Sequence, residues 1–148
     1  MEIERKFLIK NIPFSLENFK ARVIEQAYLC TNPVVRVRKD NDCYYLTYKS
    51  EGLIAREEYN LPLTKESYEH LLAKADGNII TKTRYEIPEK NNLTIELDIF
   101  EGKFKGLILA EVEFSTEADA MSYVPPDWFS EDVSNSSKYH NSTLSRLP

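Results

Sequence analysis

The chain is poor in glycine, cysteine and histidine, and each shortage excludes a class of site. Its 148 residues include four Gly, two Cys and two His. So few glycines argue against a Gly-rich phosphate-binding loop. Cys30 and Cys43 form no CxxC pair and have no His pair nearby, so we predict reduced thiols in the core or in strands, and neither a zinc site nor a disulfide. His70 and His140 are isolated from each other, and we predict a surface or cap residue at each.

The chain also lacks a long apolar run and an excess of basic residues. No stretch is long and apolar enough to span a membrane, and the N-terminus carries acids where a signal peptide has bases. The formal net charge of −5 does not suit a general nucleic-acid binder. We therefore expect a cytoplasmic protein that binds neither nucleic acid nor a membrane. The length predicts a single domain, 1–148, with one core.

What the chain has instead is a series of short segments in which polar and apolar residues alternate, as in half-buried β-strands. Such strands are predicted at 1–9, 25–29, 34–38, 43–49, 55–61, 79–87, 93–100 and 107–114. Helices are predicted from Ser15 to about residue 23, from Thr64 to a stop at Gly77, after Ser115, and over 135–147. This order indicates an α+β, mainly β protein: a large antiparallel sheet, closed or nearly closed, with helices packed outside.

One face of almost every predicted strand is charged. For a single strand, a face in water is the simpler interpretation. The apolar faces need cover, however, and helices outside the sheet would leave the charged faces inside. A dry interior would not hold so many charges, whereas a wet tunnel filled by an ionic ligand would. The acids are Glu2, Glu4, Glu58, Glu96, Asp98, Glu111 and Glu113, and the bases are Lys6, Arg36, Arg38, Lys49, Arg56, Lys82 and Arg84.

The chemistry of these side chains narrows the ligand. Arg and Lys are the natural partners of phosphate oxygens. Carboxylates clustered without His or Cys are hard oxygen ligands that suit Mg²⁺ or Mn²⁺. Together they predict a metal-bound polyphosphate that is gripped along its length.

The order of the charged pairs also resembles a known family. Glu2-x-Glu4-x-Lys6 is similar to the ExExK signature of the CYTH superfamily, the triphosphate tunnel metalloenzymes. The resemblance continues through Arg36-x-Arg38, the segment 47–52, Arg56-x-Glu58, Lys82-x-Arg84, Glu96-x-Asp98 and Glu111-x-Glu113. The ending, 125–129 followed by Tyr139-x-Asn141, is similar to the short bacterial members.

The resemblance implies an eight-stranded closed antiparallel barrel that binds a triphosphate with two Mg²⁺ or Mn²⁺ ions. It implies metal ligation by Glu2, Glu4, Glu58, Glu96, Asp98, Glu111 and Glu113, with Glu2 and Glu4 orienting the attacking water. It implies phosphate binding by Lys6, Arg36, Arg38, Lys49, Arg56, Lys82 and Arg84. Glu58 and Glu96 could instead hold neighbouring bases in place, and Arg56 could be structural.

The sequence leaves more than one role open for three further residues. Tyr28 is expected near Lys49, in a Tyr–Lys pair that activates water or orients phosphate in the family, although a core tyrosine is the simpler interpretation. Arg5 should face outward and form surface salt bridges or pack against a helix. Lys138, on the predicted terminal helix, either reaches a phosphate at one tunnel mouth or is a solvated lysine.

The leading functional hypothesis is an inorganic triphosphatase that cleaves tripolyphosphate to pyrophosphate and phosphate, since little chain remains to build a pocket for an organic group. The alternatives are a nucleoside or thiamine triphosphatase, a class IV adenylate cyclase, and a non-catalytic binder of phosphorylated ligands. The expected partner is thus an inorganic or organic triphosphate, and a homodimer is possible.

Overall fold

A single antiparallel sheet organises the protein. The computed structural model describes all residues, 1–148. The nine strands are β1 (Glu2–Leu8), β2 (Lys20–Thr31), β3 (Val34–Asp40), β4 (Cys43–Lys49), β5 (Ala55–Arg56), β6 (Glu58–Pro62), β7 (Asp76–Pro88), β8 (Thr94–Phe100) and β9 (Ile108–Glu113). The helices are α1 (Lys65–Leu72), α2 (Glu117–Ser122) and α3 (Asn141–Leu144), with 3₁₀ turns at Gly102–Phe104 and Ser137–Tyr139.

The sheet is nearly closed, because two consecutive strands form its two edges. Its order is β5-β1-β9-β8-β7-β2-β3-β4-β6, so β5 pairs with β1 at one edge and β6 pairs with β4 at the other. Glu57 alone separates β5 from β6. It bridges the gap to β4, because its carbonyl accepts from the Ser50 N–H at 3.0 Å and its N–H donates to Ser50 Oγ at 2.9 Å. The predicted barrel is confirmed, with nine strands where eight were expected, because the strand predicted at 55–61 is broken in two.

The helix predicted from Ser15 to residue 23 is wrong. The chain turns there and enters β2 at Lys20, which pairs with Glu86 of β7. Because Lys20, Arg22 and Ile24 alternate with Ala21 and Val23, the segment suits a strand, and the long ladder to β7 outweighs its weak helix propensity.

The helix predicted at Thr64 is confirmed, but its end is not. The Thr64 hydroxyl accepts from the Ser67 N–H at 3.1 Å, and Ser67 Oγ accepts from the Thr64 N–H at 2.9 Å, which forms a capping box. The helix ends at Ala73, and Gly77 lies in β7 with φ of 74°. The predicted terminal helix over 135–147 is instead a 3₁₀ turn followed by the short α3.

No helix is both long and apolar enough to cross a membrane.

The apolar side chains pack on the outer surface of the barrel. Phe7, Leu97 and Val112 belong to a buried cluster that Tyr123 and Phe129 complete from the segment after β9. Because strand residues alternate between faces, turning these side chains outward against the covering segments turns the charged residues of the same strands inward. The two thiols predicted for the core or for strands lie in β2 and β4, and both are free and exposed.

The contacts of Arg5 show which residues of β1 face outward. Its NH1 donates to the carbonyl oxygens of Ala120, at 3.0 Å, and Tyr123, at 2.9 Å, and its NH2 lies 2.7 Å from Asp132 Oδ2. The side chain therefore lies on the outer face, as predicted, where it ties β1 to the end of α2 and to the C-terminal segment.

Candidate active site

A cavity of about 230 Å³ lies inside the barrel, and almost all of its lining side chains are charged or polar. Every site residue predicted from the sequence except Asp98 lines it. These residues are Glu2, Glu4, Lys6, Tyr28, Arg36, Arg38, Lys49, Arg56, Glu58, Lys82, Arg84, Glu96, Glu111 and Glu113.

The strand ladder explains how residues so distant in sequence meet. Lys6 of β1 is the cross-strand partner of Glu111 of β9, which is in turn the partner of Glu96 of β8. Directly opposed residues in an antiparallel pair project from the same face of a sheet. Since the sheet curves into a nearly closed barrel, that shared face is the wall of the cavity.

Lys49 lies at the centre of an ion-pair cluster where the barrel closes. Its Nζ is 3.0 Å from Glu2 Oε1 and 3.3 Å from Glu58 Oε2, and Arg56 NH2 is 3.9 Å from Glu2 Oε1. Burial raises the pKa of Glu2, and Lys49 opposes that shift. For Glu58, burial is outweighed mainly by Lys49, so the pKa of its carboxyl falls.

Glu111 is held between two bases on the opposite side. Its carboxylate oxygens lie 3.5 Å from Lys6 Nζ and 3.6 Å from Arg84 NH2. These charges overcome the burial and hold the pKa of Glu111 well below its usual value. The carboxylate is therefore ionised at neutral pH.

Asp98 lies behind the cavity wall. Its two oxygens accept from Arg84 Nε at 2.7 Å and Arg84 NH2 at 2.9 Å, and Lys82 Nζ is 2.7 Å away. The carboxylate has no exposed surface, and these bases lower the pKa of Asp98 although burial opposes them. Asp98 thus orients two of the predicted phosphate-binding bases toward the cavity.

Glu96 has a similar set of partners. Its Oε2 lies 3.3 Å from Arg84 NH1 and 3.5 Å from Arg22 NH2. Arg22 also pairs with Asp40 at 2.6 Å. Of the two roles that the sequence left open for Glu96, these contacts favour holding bases in place.

Glu4 and Glu113 have no basic partner. They are directly opposed across β1 and β9, and both line the cavity. Burial, followed by the charges of Glu111 and Glu2, raises the pKa of Glu4 to about 8. Burial and Glu2 also raise the pKa of Glu113. Two opposed carboxylates without a counter-ion are a donor set that fits a divalent cation.

No three carboxylate, histidine or cysteine side chains converge closely enough to form a complete metal site. Mg²⁺ is commonly held by one or two carboxylates together with waters and the phosphates of a substrate. The Glu4–Glu113 pair meets that requirement beside the phosphate-binding bases, so the residues present fit such an ion.

Tyr28 packs as a core tyrosine and also lines the cavity, without the expected pairing to Lys49. It is 3% exposed and belongs to an apolar cluster with Val34 and Phe100, yet it also lines the cavity. Its hydroxyl accepts from Gln26 Nε2 at 3.2 Å, and no hydrogen bond joins it to Lys49. Gln26 therefore fixes the position of the hydroxyl.

Several lining residues were missed by the sequence reasoning. Arg22 fell within the wrongly predicted helix, although its two-residue spacing from Ile24, Gln26 and Tyr28 was a usable signal. The others are Val34, Asn60, His140, Asn141 and Ser142.

The C-terminal segment brings three of these residues to the cavity. His140, predicted as a surface or cap residue, caps α3 with its carbonyl while its side chain lines the cavity. Lys138 is exposed, and its Nζ lies 5.2 Å from the Tyr139 ring centroid. It lies outside the cavity lining, as a solvated lysine would.

Comparison with known proteins gives a consistent result. The CYTH domain family matches residues 1–146. An inorganic triphosphatase of Nitrosomonas europaea is 36% identical over 146 residues, which cover 97% of this chain and 95% of that protein. An inorganic triphosphatase of Acetivibrio thermocellus is 34% identical over 154 aligned residues, which cover 99% of this chain and 94% of that protein.

A solved structure shares the whole fold. The crystal structure of the inorganic triphosphatase NE1496 superimposes with a TM-score of 0.74 at 34% identity, covering 100% of this chain and 96% of that one. A family match over residues 1–146, relatives above 30% identity along almost the whole chain, and a shared barrel all agree. The chain therefore belongs to the CYTH domain family.

Proposed function

We propose that the protein is an inorganic triphosphatase, which hydrolyses tripolyphosphate to pyrophosphate and phosphate. The observation that carries this proposal is a cavity walled by bases from β1, β3, β4, β5 and β7 with almost no apolar lining. Such a wall suits a ligand that is phosphate along its whole length, whereas pockets for organic groups are mostly apolar. The names of the two relatives, both inorganic triphosphatases, support the same reaction.

The bases hold the phosphate chain and stabilise charge as it develops. Arg36 is buried and donates from NH2 to Thr47 Oγ1 at 3.2 Å, while its Nε has no partner in the protein. A buried donor without a partner is costly unless a ligand completes it. Arg38 donates from Nε to Gln26 Oε1 at 2.7 Å, which leaves the rest of its guanidinium for phosphate oxygens.

Mg²⁺ or Mn²⁺ completes the site in this proposal. Glu4 and Glu113 hold the ion or ions, with Glu2 and Glu111 as neighbouring ligands, directly or through water. A bound ion would neutralise charge on the transferred phosphoryl group and would make the attacking water a better nucleophile. Every other predicted carboxylate ligand, Glu2 and Glu111 included, already pairs with bases, so its ligand role is weaker than that of Glu4 and Glu113.

The reaction requires an oriented water and a stabilised leaving group. In this proposal Glu2 and Glu4 accept hydrogen bonds from the attacking water, and Glu4 accepts its proton. Lys49, held by Glu2 and Glu58, presents an ammonium group to the phosphate chain. Tyr28 orients a phosphate oxygen with its hydroxyl, which Gln26 fixes in place. Preorganised charges of this kind lower the barrier because they need no rearrangement during the reaction.

One set of assays tests the proposal. The purified protein receives tripolyphosphate, ATP or thiamine triphosphate with Mg²⁺ or Mn²⁺, and every product is identified. We expect equal amounts of pyrophosphate and phosphate from tripolyphosphate, with a higher kcat/KM than for either organic triphosphate.

Any other result of these assays would contradict the proposal and indicate one of three other functions. A higher kcat/KM for ATP or thiamine triphosphate would make the protein an organic triphosphatase. Cyclic AMP formed from ATP would make it a cyclase. Tight binding of tripolyphosphate without any turnover would leave a non-catalytic binder.

A further inference from the structure

The side chain of His140 enters the cavity from a rigid position. The His140 N–H donates to the Ser137 carbonyl at 3.1 Å, and its own carbonyl accepts from the N–H groups of Thr143, at 2.9 Å, and Leu144, at 3.0 Å. These bonds join the 3₁₀ turn to α3 and fix the backbone on both sides of the residue. The imidazole is therefore presented to the cavity by a defined segment of chain.

The residues on either side of His140 contact the predicted phosphate-binding lysines. The Tyr139 carbonyl accepts from Lys6 Nζ at 3.4 Å. Asn141 Oδ1 accepts from Lys82 Nζ at 3.0 Å and from Gln26 Nε2 at 3.1 Å. Contacts to β1, β7 and β2 thus anchor the segment at one end of the barrel, with His140 between them.

The imidazole itself has no partner in the protein. It makes no hydrogen bond or ion pair, although it lines the most highly charged space in the molecule. Burial and then the positive charges of Lys6, Arg56 and Lys49 lower the pKa of His140 to about 4, and Glu111 opposes this shift. Lys82 lies at the same end of the cavity, and Lys138, on the segment of His140 itself, lies over the Tyr139 ring.

We propose that His140 binds a phosphate oxygen of the substrate and takes up a proton from solvent as it does so. The inference rests on the proposed function for its ligand class, a triphosphate. A triphosphate brings several negative charges into a space that is now dominated by cations. It offsets the repulsion that, after burial, lowers the pKa of His140, and it supplies an anionic acceptor for the imidazolium. No substrate bond breaks in this step, since one proton moves from water to a ring nitrogen.

A histidine is suited to this role because the charge appears only when the ligand is present. A fixed fourth cation beside Lys6, Lys49 and Arg56 would add repulsion to the empty cavity. A neutral imidazole avoids that cost in the free protein and still becomes a charge-assisted donor in the complex. His140 is thus a specificity-determining residue for the charge of the ligand.

Nuclear magnetic resonance tests the proton uptake directly, because the chain has only two histidines. His70 is exposed on α1, so a His70→Gln variant assigns the two C2–H resonances and provides the matched control. The resonances are titrated in the free protein and with saturating tripolyphosphate, without a divalent cation. We expect the His140 midpoint to rise by about three pH units on binding, to near 7, while that of His70 stays constant. Equal His140 midpoints in the two states would overturn the inference.

Two substitutions test the consequence for binding. His140→Gln keeps a neutral donor but cannot gain the proton, so we expect its KM for tripolyphosphate at pH 6 to rise about tenfold with little change in kcat. His140→Lys carries a permanent charge, so calorimetry in two buffers should show less proton uptake on binding than in the wild type. If His140→Gln kept both the wild-type KM and the wild-type proton uptake, the inference would be wrong.

The measurements separate this inference from the proposed function. If tripolyphosphate is hydrolysed but the titration midpoint of His140 does not change on binding, the proposed function stands and the role of His140 is wrong. If tripolyphosphate binds and raises that midpoint but is not hydrolysed, the role of His140 stands and the proposed function is wrong. Failure to bind tripolyphosphate at all would remove both.

Discussion

Glu4 and Glu113 are directly opposed across β1 and β9, and neither carboxylate has a basic partner. Every other acidic side chain that lines the cavity pairs with at least one base. Directly opposed like charges destabilise a sheet unless something neutralises them. Burial and the nearby acids Glu111 and Glu2 raise the pKa of Glu4 to about 8. The protein's side chains thus form no ion pair with these two carboxylates, and a divalent cation would supply the missing positive charge.

The first prediction concerns the metal requirement. Because Glu4 must lose its proton to ligate an ion, the Mg²⁺ concentration for half-maximal activity should fall as the pH rises toward 8. Glu4→Gln should raise that concentration at least about tenfold and reduce its pH dependence, since it removes the ligand whose pKa is about 8. Glu66→Gln on the exposed surface of α1 is the matched control. A Glu4→Gln variant with the wild-type Mg²⁺ requirement would remove the metal role of Glu4.

The second prediction concerns stability without metal. The folded pKa of Glu4 lies above the ordinary carboxyl value of 4.5, at about 8. The stability that the neutral form provides is therefore complete below pH 4.5 and is lost as the pH rises to 8. Relative to Glu4→Gln, the wild type should lose on the order of 1 kcal/mol or more across this window. Denaturant unfolding with a chelator at pH 5 and pH 8.5 measures the difference. A pH-independent difference would contradict the shift.

The third prediction concerns Lys49. Lys49→Ala should lower kcat about a hundredfold or more, because it removes a preorganised positive charge from the reacting phosphates. It should also raise the pKa of Glu2 and Glu58, which lose their shared partner. Lys65→Ala on α1 is the control for a lost surface lysine. A wild-type rate in Lys49→Ala, measured at saturating tripolyphosphate, would exclude a catalytic role.

The sequence predicted most of the strand residues that line the cavity but missed Arg22 and His140. Arg36 and Lys82 were predictable because a strand with one apolar face must direct its other residues to the opposite face. Arg22 was not, because residues 15–23 carry mixed local preferences that only the pairing of β2 with β7 resolves. His140 was not, because a short polar segment has no periodicity that would direct its side chains into the cavity.

Asp98 shows a different limit of sequence reasoning. Its spacing from Glu96 indicated a second inward carboxylate, and both residues do point to the charged side of β8. The sequence did not reveal that Arg84 would donate two hydrogen bonds to Asp98, because that contact depends on the register of β7 and β8. Whether a carboxylate binds a metal or orients a base is decided by such contacts and not by its position in a motif.

The last prediction separates these two roles for Asp98. Asp98→Asn leaves Arg84 and Lys82 buried without their anion, so it should lower the free energy of unfolding by about 3–5 kcal/mol. The folded pKa of Asp98 lies below its ordinary value of 3.8. Its contribution is therefore present above that value and is lost as the pH falls below it.

Asp42→Asn, at an exposed turn, is the matched control, and unfolding is followed in a chelator at pH 7 and pH 3. We expect the free energy of unfolding of Asp98→Asn to lie below that of the wild type at pH 7. The difference between the two should be smaller at pH 3. Where the variant still folds, its KM for tripolyphosphate should rise while its Mg²⁺ requirement stays the same, because the bases lose their orientation and the ion keeps Glu4 and Glu113. A variant of unchanged stability with a higher Mg²⁺ requirement would make Asp98 a metal ligand, as its motif first indicated.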